Sequence, residues 1–337
     1  MQDLQKNLTS EFQNIINARP QGHVLALCLH PALDVTIRTD HGREISRREN
    51  LGGKAVNVAR MLHLLGARVT LLAPDDCAGE TSALLANCGF DCELIPTNLS
   101  LRRNYKYIDA DGKTREQNGS AGTLSPQHSQ QLIDRVLHIC RTRQISHLAL
   151  CGSFPQGVEK AVYKSLIGSA NALDISCVTD ASGDALSLAV QAKPALIKPN
   201  MQEFSTLSQQ SLSMLKTEEV VEKAIFDAYL KTGVQILCSM DKDGSVYAGA
   251  EGVYFVKSPE VEHVNSFAGA GDTMLASFLY ARYLCAAPIE YSLRFASAAA
   301  TAKVKLPAST LPTPQEIFAE WTYTQIRGKA EHEIYQK

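Results

Sequence analysis

No apolar run in this sequence approaches the ~20 residues that a membrane-spanning helix needs, and no two cysteines stand in a CxxC spacing. The nine cysteines (Cys28, Cys77, Cys88, Cys92, Cys140, Cys151, Cys177, Cys238 and Cys285) are dispersed along the chain. Neither a disulfide frame nor a zinc site is expected from them, and free thiols fit a reducing, cytoplasmic setting. The histidines show no metal-ligand spacing. A large charge of either sign is also missing: the formal net charge is −2, which excludes bulk attraction to nucleic acid or to an anionic membrane. Any anionic small molecule must then be held by local basic groups. The opening residues Met1–Lys6 lack a charged-then-apolar signal pattern, and no internal repeat or low-complexity tract is present. With 337 residues, 45% hydrophobic and 20% charged, the chain can build one large α/β domain or two smaller ones.

Residues 1–22 are polar, with Leu4, Leu8, Phe12, Ile15 and Ile16 at helical spacing, and read as a peripheral amphipathic extension ending at Pro20-Gln21-Gly22. One domain is expected from residue 23 to about 330, and from Ser125 onward strand and helix patterns alternate. Strands are expected at Val24–Leu29, Val69–Leu72, His147–Cys151, Cys177–Thr179, Ala195–Ile197 and Gln235–Cys238. Helices are expected at Lys54–Leu65, Thr81–Cys88, Pro126–Ile139, Glu159–Ser169 and Glu218–Leu230, with two more over 271–301. Such alternation means βαβ units and a doubly wound, mainly parallel sheet with helices on both faces. Two stretches differ. Residues 35–50 alternate weakly, and 102–118 place Asp109-Ala110-Asp111-Gly112 between aromatic or β-branched runs, a hairpin signal. Together they predict a small β lid.

In open α/β sheets ligands sit outside the carboxyl ends of the strands. Asp34, Gly152-Ser153, Asp180, Lys198-Pro199-Asn200 and Met240–Gly244 all follow a strand, so they should converge on one crevice. The segment Gly269-Ala270-Gly271-Asp272 opens an apolar helix. Its small residues let backbone amides turn toward an anion at the helix N-terminus, and Asp272 in the first turn can take a proton from a substrate hydroxyl. Taken alone, the same small residues would equally serve tight helix–sheet packing.

Six motifs in order lift that ambiguity. Pro31-Ala32-Leu33-Asp34, Gly52-Gly53-Lys54-Ala55-Val56-Asn57-Val58-Ala59, Gly152–Gly157, Asp180–Gly183, Lys198–Glu203 and Gly269–Asp272 resemble NPxLD, GGKGxNVA, GSLPxG, DxSG, KPNxxE and GAGD. These are the signatures of the ribokinase (PfkB) carbohydrate kinase family, and the likeness is to its phosphofructokinase B branch. The resemblance runs from about Val24 to Tyr323. It implies an ATP- and Mg²⁺-dependent kinase that phosphorylates a ketohexose phosphate (fructose 6-phosphate, fructose 1-phosphate or tagatose 6-phosphate) to a bisphosphate. It further implies that Gly269, Ala270 and Gly271 form an anion hole with Asp272 as base. Asp34, Gly52, Gly53, Lys54, Asn57 and Ser153 would line the sugar, while Arg102 would hold its existing phosphate. Arg43 resembles a second basic lid residue. Lys198, Asn200, Ser239 and Gly244 would line ATP, and Asn200 and Glu203 would organise Mg²⁺ through water.

Several positions depart from the family pattern. His30 stands where Asn or Ala is usual, and Ala55 where the signature has glycine. Asp241 replaces a loop glycine and would bring a carboxylate toward ATP phosphates. Ser266-Phe267-Ala268 replaces Asn/Asp-Thr-Val/Thr, which unsettles any monovalent-cation site. The lid between Asp34 and Gly52 is about half a dozen residues shorter than in close relatives, judged by matching motifs; in the family that lid often builds a homodimer. Two other readings are a kinase of an unphosphorylated sugar or nucleoside, and a non-catalytic sugar-phosphate-binding paralogue. Arg102 and Lys54 speak against the first, because a neutral substrate needs neither. The intact Asp272, Asn200 and Glu203 speak against the second.

Overall fold

Strand β1 (His23–Leu27) is buried at all five positions, as a strand covered on both faces must be. The computed structural model of the protein describes residues 2–119 and 122–334. After β1 the chain makes a hairpin of β2 (Ala32–Asp40) and β3 (Arg43–Gly52). It continues through β4 (Arg68–Asp75), β5 (Asp91–Pro96), β6 (Arg102–Ile108), β7 (Thr114–Asn118), β8 (His147–Cys151), β9 (Ser176–Asp180), β10 (Leu196–Ile197) and β11 (Gln235–Ser239). The last strands are β12 (Ser245–Gly249), β13 (Gly252–Lys257) and β14 (Gln325–Lys329).

Ten strands form one sheet in the order β14-β13-β12-β11-β10-β9-β8-β1-β4-β5. The run from β11 to β5 is parallel, and β12, β13 and β14 are added antiparallel at one edge. Side-chain alternation along β1 divides the core in two: Val24 and Ala26 join one apolar cluster, Leu25 and Leu27 the other. The first cluster is shared with the helices Lys54–Leu64, Ala270–Phe278 and Ile289–Val304, the second with Pro126–Thr142, Val162–Asn171 and Glu218–Thr232. The doubly wound α/β architecture is as the alternating pattern predicts.

The lid is a four-stranded sheet, β3-β2-β6-β7. Leu33, Val35 and Ile37 on β2 pack with Tyr105 and Tyr107 of β6 beneath it. The stretch 35–50 is thus a full hairpin, closed by His41 (φ 44°) and Gly42 (φ 78°). Two successive positive φ values are what a two-residue hairpin turn requires, and a histidine at the first of them hid the signal.

Other boundaries move. The helix expected at Thr81–Cys88 is Glu80–Leu85, and that expected at Glu159–Ser169 is Val162–Asn171. The helix Gln2–Ile16 is as expected, yet Phe12 and Ile15 are buried, with Phe12 packing on Phe295, Phe318 and Trp321. The side chains of Leu4 and Leu8 lie outside those described. The helices Gly183–Gln191, Met201–Ser208 and Pro314–Trp321 were absent from the expectation, and the last two begin with a capping box, Asn200/Glu203 and Thr313/Glu316. That N-cap-x-x-Glu spacing was readable in the sequence. No helix among the described residues is long and apolar enough to cross a membrane.

Candidate active site

The carboxyl ends of β1, β8, β9 and β10, together with the hairpin β2–β3, bring the motif residues to one crevice. Asp180, the last residue of β9, is 1% exposed. Lys54 Nζ approaches its Oδ1 at 2.6 Å and Lys198 Nζ its Oδ2 at 3.0 Å. Burial alone would raise the Asp180 carboxyl, but Lys198 and Lys54 hold it below its ordinary value. Two ammoniums share this one carboxylate, with Asp272 and Glu203 the further acidic neighbours of Lys54, and their donors face the crevice where an anion can approach.

Asp272 is buried in the first turn of the helix Ala270–Phe278. Asn57 Nδ2, from the first turn of the helix Lys54–Leu64, donates to its Oδ2 at 2.8 Å. Burial first, and the neighbouring Asp180 charge second, push the Asp272 carboxyl up to about 6, against the Asn57 hydrogen bond and the two lysines. A carboxylate poised there can take a hydroxyl proton near neutral pH. Gly269 caps this helix in the left-handed region, φ 80°. The Gly271 and Asp272 amides have no backbone acceptor among the described residues, which leaves two donors at the helix N-terminus where an anion could bind. A Cβ on Gly271 would lie 3.1 Å from Lys198 Nζ. Lys198 therefore reaches from the end of β10 to the first turn of the Asp272 helix.

Across the crevice, Asp34 Oδ1 accepts from Asn104 Nδ2 at 2.8 Å, its register partner on β6. A Cβ at Gly52 would fall 1.9 Å from Asp34 Oδ2, so any side chain here would force this carboxylate to turn. Arg102, opposite Ala32 in the β2–β6 register, makes no ion pair among the described residues, and its Nε is buried without a partner. Its neighbour Arg103 instead grips Glu80, the closest approach being 2.6 Å. His30 Nδ1 lies 3.1 Å from Ser153 Oγ. Burial, then the Arg102 charge, push His30 down to about 4, so it is neutral at physiological pH. His30 and Asn104 were not among the site residues expected from the sequence. Asn104 sits in a polar strand with no motif around it.

Glu203 is engaged in the helix cap. Its Oε2 accepts from the Asn200 amide at 2.9 Å and its Oε1 from Ser182 Oγ at 2.5 Å. An ionised carboxylate has about four lone-pair sites, so two remain for metal-bound waters, and the pair Asn200/Glu203 fits an indirect Mg²⁺ role. Among the described residues no cluster of three His, Cys, Asp or Glu could hold a metal. Ser239 adjoins Asn200 as a β-bridge, and Gly244 (φ 118°) closes the turn after β11. Asp241, exposed in that turn, adopts φ 51°, a backbone state natural to glycine and tolerated by aspartate.

Arg43 is not brought to this crevice within the chain. It is exposed at the tip of the lid, opposite Asp40. At ~3.3 Å per residue the nine steps of β3 from Gly52 carry it about 30 Å away. A cavity of about 460 Å³ lined by His23, Arg68, Asp91 and Arg143 lies at the opposite, amino ends of β1, β4 and β5, where α/β sheets do not do chemistry.

The model of the pfkB family carbohydrate kinase matches residues 29–316, a span that contains every motif above. The 1-phosphofructokinase of Haemophilus influenzae is 30% identical over 268 residues, covering 76% of this chain and 83% of that protein. Phosphofructokinase-2 of Escherichia coli, solved in complex with potassium, superposes with a TM-score of 0.81 at 26% identity, covering 90% of this chain and 99% of that one. Its complex with fructose-6-phosphate gives a TM-score of 0.79 at the same identity and coverage. The chain belongs to the pfkB family of carbohydrate kinases.

Proposed function

We propose that this kinase transfers the γ-phosphoryl group of ATP to the free primary hydroxyl of a fructose phosphate, with fructose 1-phosphate the preferred acceptor. The observation that carries the reading is Asp272: a buried carboxylate, held by Asn57, beside two open amides and the Lys54–Asp180–Lys198 cluster. The preference for fructose 1-phosphate follows the curated relatives, among them the 1-phosphofructokinase of H. influenzae.

In this reading Asp34 and Asn104 hold sugar hydroxyls and orient the acceptor. Arg102, which makes no ion pair among the described residues, takes the substrate's own phosphate, a role without purpose for a neutral sugar. Asp272 accepts the hydroxyl proton as the oxygen attacks the γ-phosphorus. The bond from that phosphorus to the β–γ bridging oxygen breaks, and its electron pair leaves with ADP. Charge on the transferred group is met by the Gly271 and Asp272 amides and by Lys54 and Lys198. Asn200 and Glu203 would hold Mg²⁺ through water, and the ion would neutralise charge on the nucleotide phosphates. Nine unpaired thiols suit a cytoplasmic enzyme.

Steady-state kinetics with MgATP across fructose 1-phosphate, fructose 6-phosphate, tagatose 6-phosphate and free fructose test the proposal. It predicts the highest kcat/KM for fructose 1-phosphate and a bisphosphate product by phosphorus NMR. A higher kcat/KM for free fructose, or for either other phosphate, overturns it.

A further inference from the structure

Lys303 stands in the last turn of the helix Ile289–Val304 and is 1% exposed. Its ammonium donates to the Pro307 carbonyl at 3.1 Å and pairs with no carboxylate among the described residues. A buried ammonium with no hydrogen-bonded carboxylate is costly and is kept only where the surroundings make use of its charge. Its surroundings are the anion hole. A Cβ on Gly269 would lie 3.4 Å from Lys303 Cε and 3.7 Å from Asn57 Nδ2, so lysine and asparagine flank the cap of the Asp272 helix. The same helix end holds the loop that leads into the cap. The Asn265 and Ser266 amides donate to the Val304 carbonyl at 2.8 and 3.1 Å, and Ser266 Oγ then accepts from the Ala268 amide at 3.2 Å.

We propose that Lys303 is a positioning residue for phosphoryl transfer: its ammonium is a fixed positive charge behind Gly269 that polarises the anion hole. The inference rests on the reading of Gly269–Asp272 as the transfer end of the site. A fixed charge close behind open amides favours a phosphoryl group whose charge is spreading in the transition state, more than it favours bound sugar phosphate. The signature is a loss in kcat, not in KM. The charged groups that face Lys303 are Asp272 on the helix Ala270–Phe278 and Lys106 on β6. Burial draws its ammonium down to about 8, with Asp272 opposing and Lys106 assisting, so the charge is present at neutral pH and lost above it.

The test uses the whole chain with fructose 1-phosphate and MgATP and three variants, Lys303→Met, Lys303→Ala and Lys303→Arg. Lys303→Met should lower kcat by about 10- to 100-fold, below the full loss of an oxyanion donor, with KM for fructose 1-phosphate changed less than about three-fold. Added ethylammonium should restore part of kcat to Lys303→Ala while leaving wild type unchanged. Wild-type kcat should decline above about pH 8, and Lys303→Arg, charged throughout, should lose that decline. A Lys303→Met kcat within two-fold of wild type overturns the proposal. So does a Lys303→Ala loss that no amine restores and that tracks a lowered melting temperature, because that is a structural role. An Asp272→Asn variant that keeps its activity removes the transfer-end reading itself. A dead Asp272→Asn beside an indifferent Lys303→Met removes this inference alone.

Discussion

Asn57 Nδ2 donates to Asp272 Oδ2 at 2.8 Å, joining the first turns of two helices that lie 215 residues apart in the chain. An amide N–H favours the ionised carboxylate over its protonated form, so Asn57 works against the burial that raises Asp272. The acid limb of kcat should fall near pH 6 in the wild type. Asn57→Ala should move that limb to higher pH, so that activity at pH 6 suffers more than at pH 8. A pH–rate profile decides the point; an acid limb that stays in place means Asn57 does not tune the base.

Asp272 also leaves a mark on stability. Its folded-state value of about 6 lies above the ordinary 3.8, so the native state binds the proton more tightly than the unfolded chain. The stability this contributes is full below about pH 4 and is lost as pH rises through about 6. The difference corresponds to roughly 3 kcal/mol at most, at ~1.4 kcal/mol per unit. Asp272→Asn should therefore melt several degrees above wild type at pH 8 and close to it at pH 4. Melting curves at the two pH values test the sign, and a variant no more stable at pH 8 contradicts it.

Gly52→Ala is a steric test of the sugar side. The added Cβ would fall 1.9 Å from Asp34 Oδ2, so the carboxylate must turn away from Asn104. The KM for the sugar phosphate should rise about ten-fold or more, the scale of a displaced charged hydrogen bond, with KM for ATP nearly constant. Equal changes in both would place the damage in the fold.

For Arg102→Ala the expected loss is a charge-assisted pair with phosphate, roughly 1.5–3 kcal/mol or about 10- to 150-fold in KM for the sugar phosphate. Arg103→Ala, which only frees Glu80, should leave that KM within about two-fold, as a half-buried ion pair away from the sugar contributes little to its binding. Steady-state titrations of the two variants side by side separate the roles, and matched losses would remove Arg102 from phosphate binding.

The sheet and most of the site were legible because their signals are local. Buried strands such as His147–Cys151 read as apolar runs, Lys198 follows a strand and Asp272 opens a helix, whereas Asp34, expected just after a strand, lies within β2. What was hidden depends on tertiary neighbours. Lys303 closes an alanine-rich helix and reads as an ordinary C-terminal cation in water; only the fold buries it behind Gly269. Asn104 becomes a site residue through its register with Asp34, which no spacing in β6 reveals. Strands β12 to β14 escaped notice because an antiparallel edge of short, glycine-punctuated segments carries a weak pattern. Arg43 was carried over by its resemblance to a basic lid residue, and β3 takes it along the lid away from Gly52 within its own chain.

The central claim is that Asp272 is the base of a sugar-phosphate kinase, and one coupled assay tests it most directly. ADP release from MgATP and fructose 1-phosphate is followed at pH 8 in wild type and Asp272→Asn. The account predicts steady release by the wild type and at least a ~100-fold lower kcat in the variant, the scale of a general base, with KM for fructose 1-phosphate little changed. A variant that keeps more than about a tenth of wild-type kcat, or a wild type that releases no ADP, would contradict it.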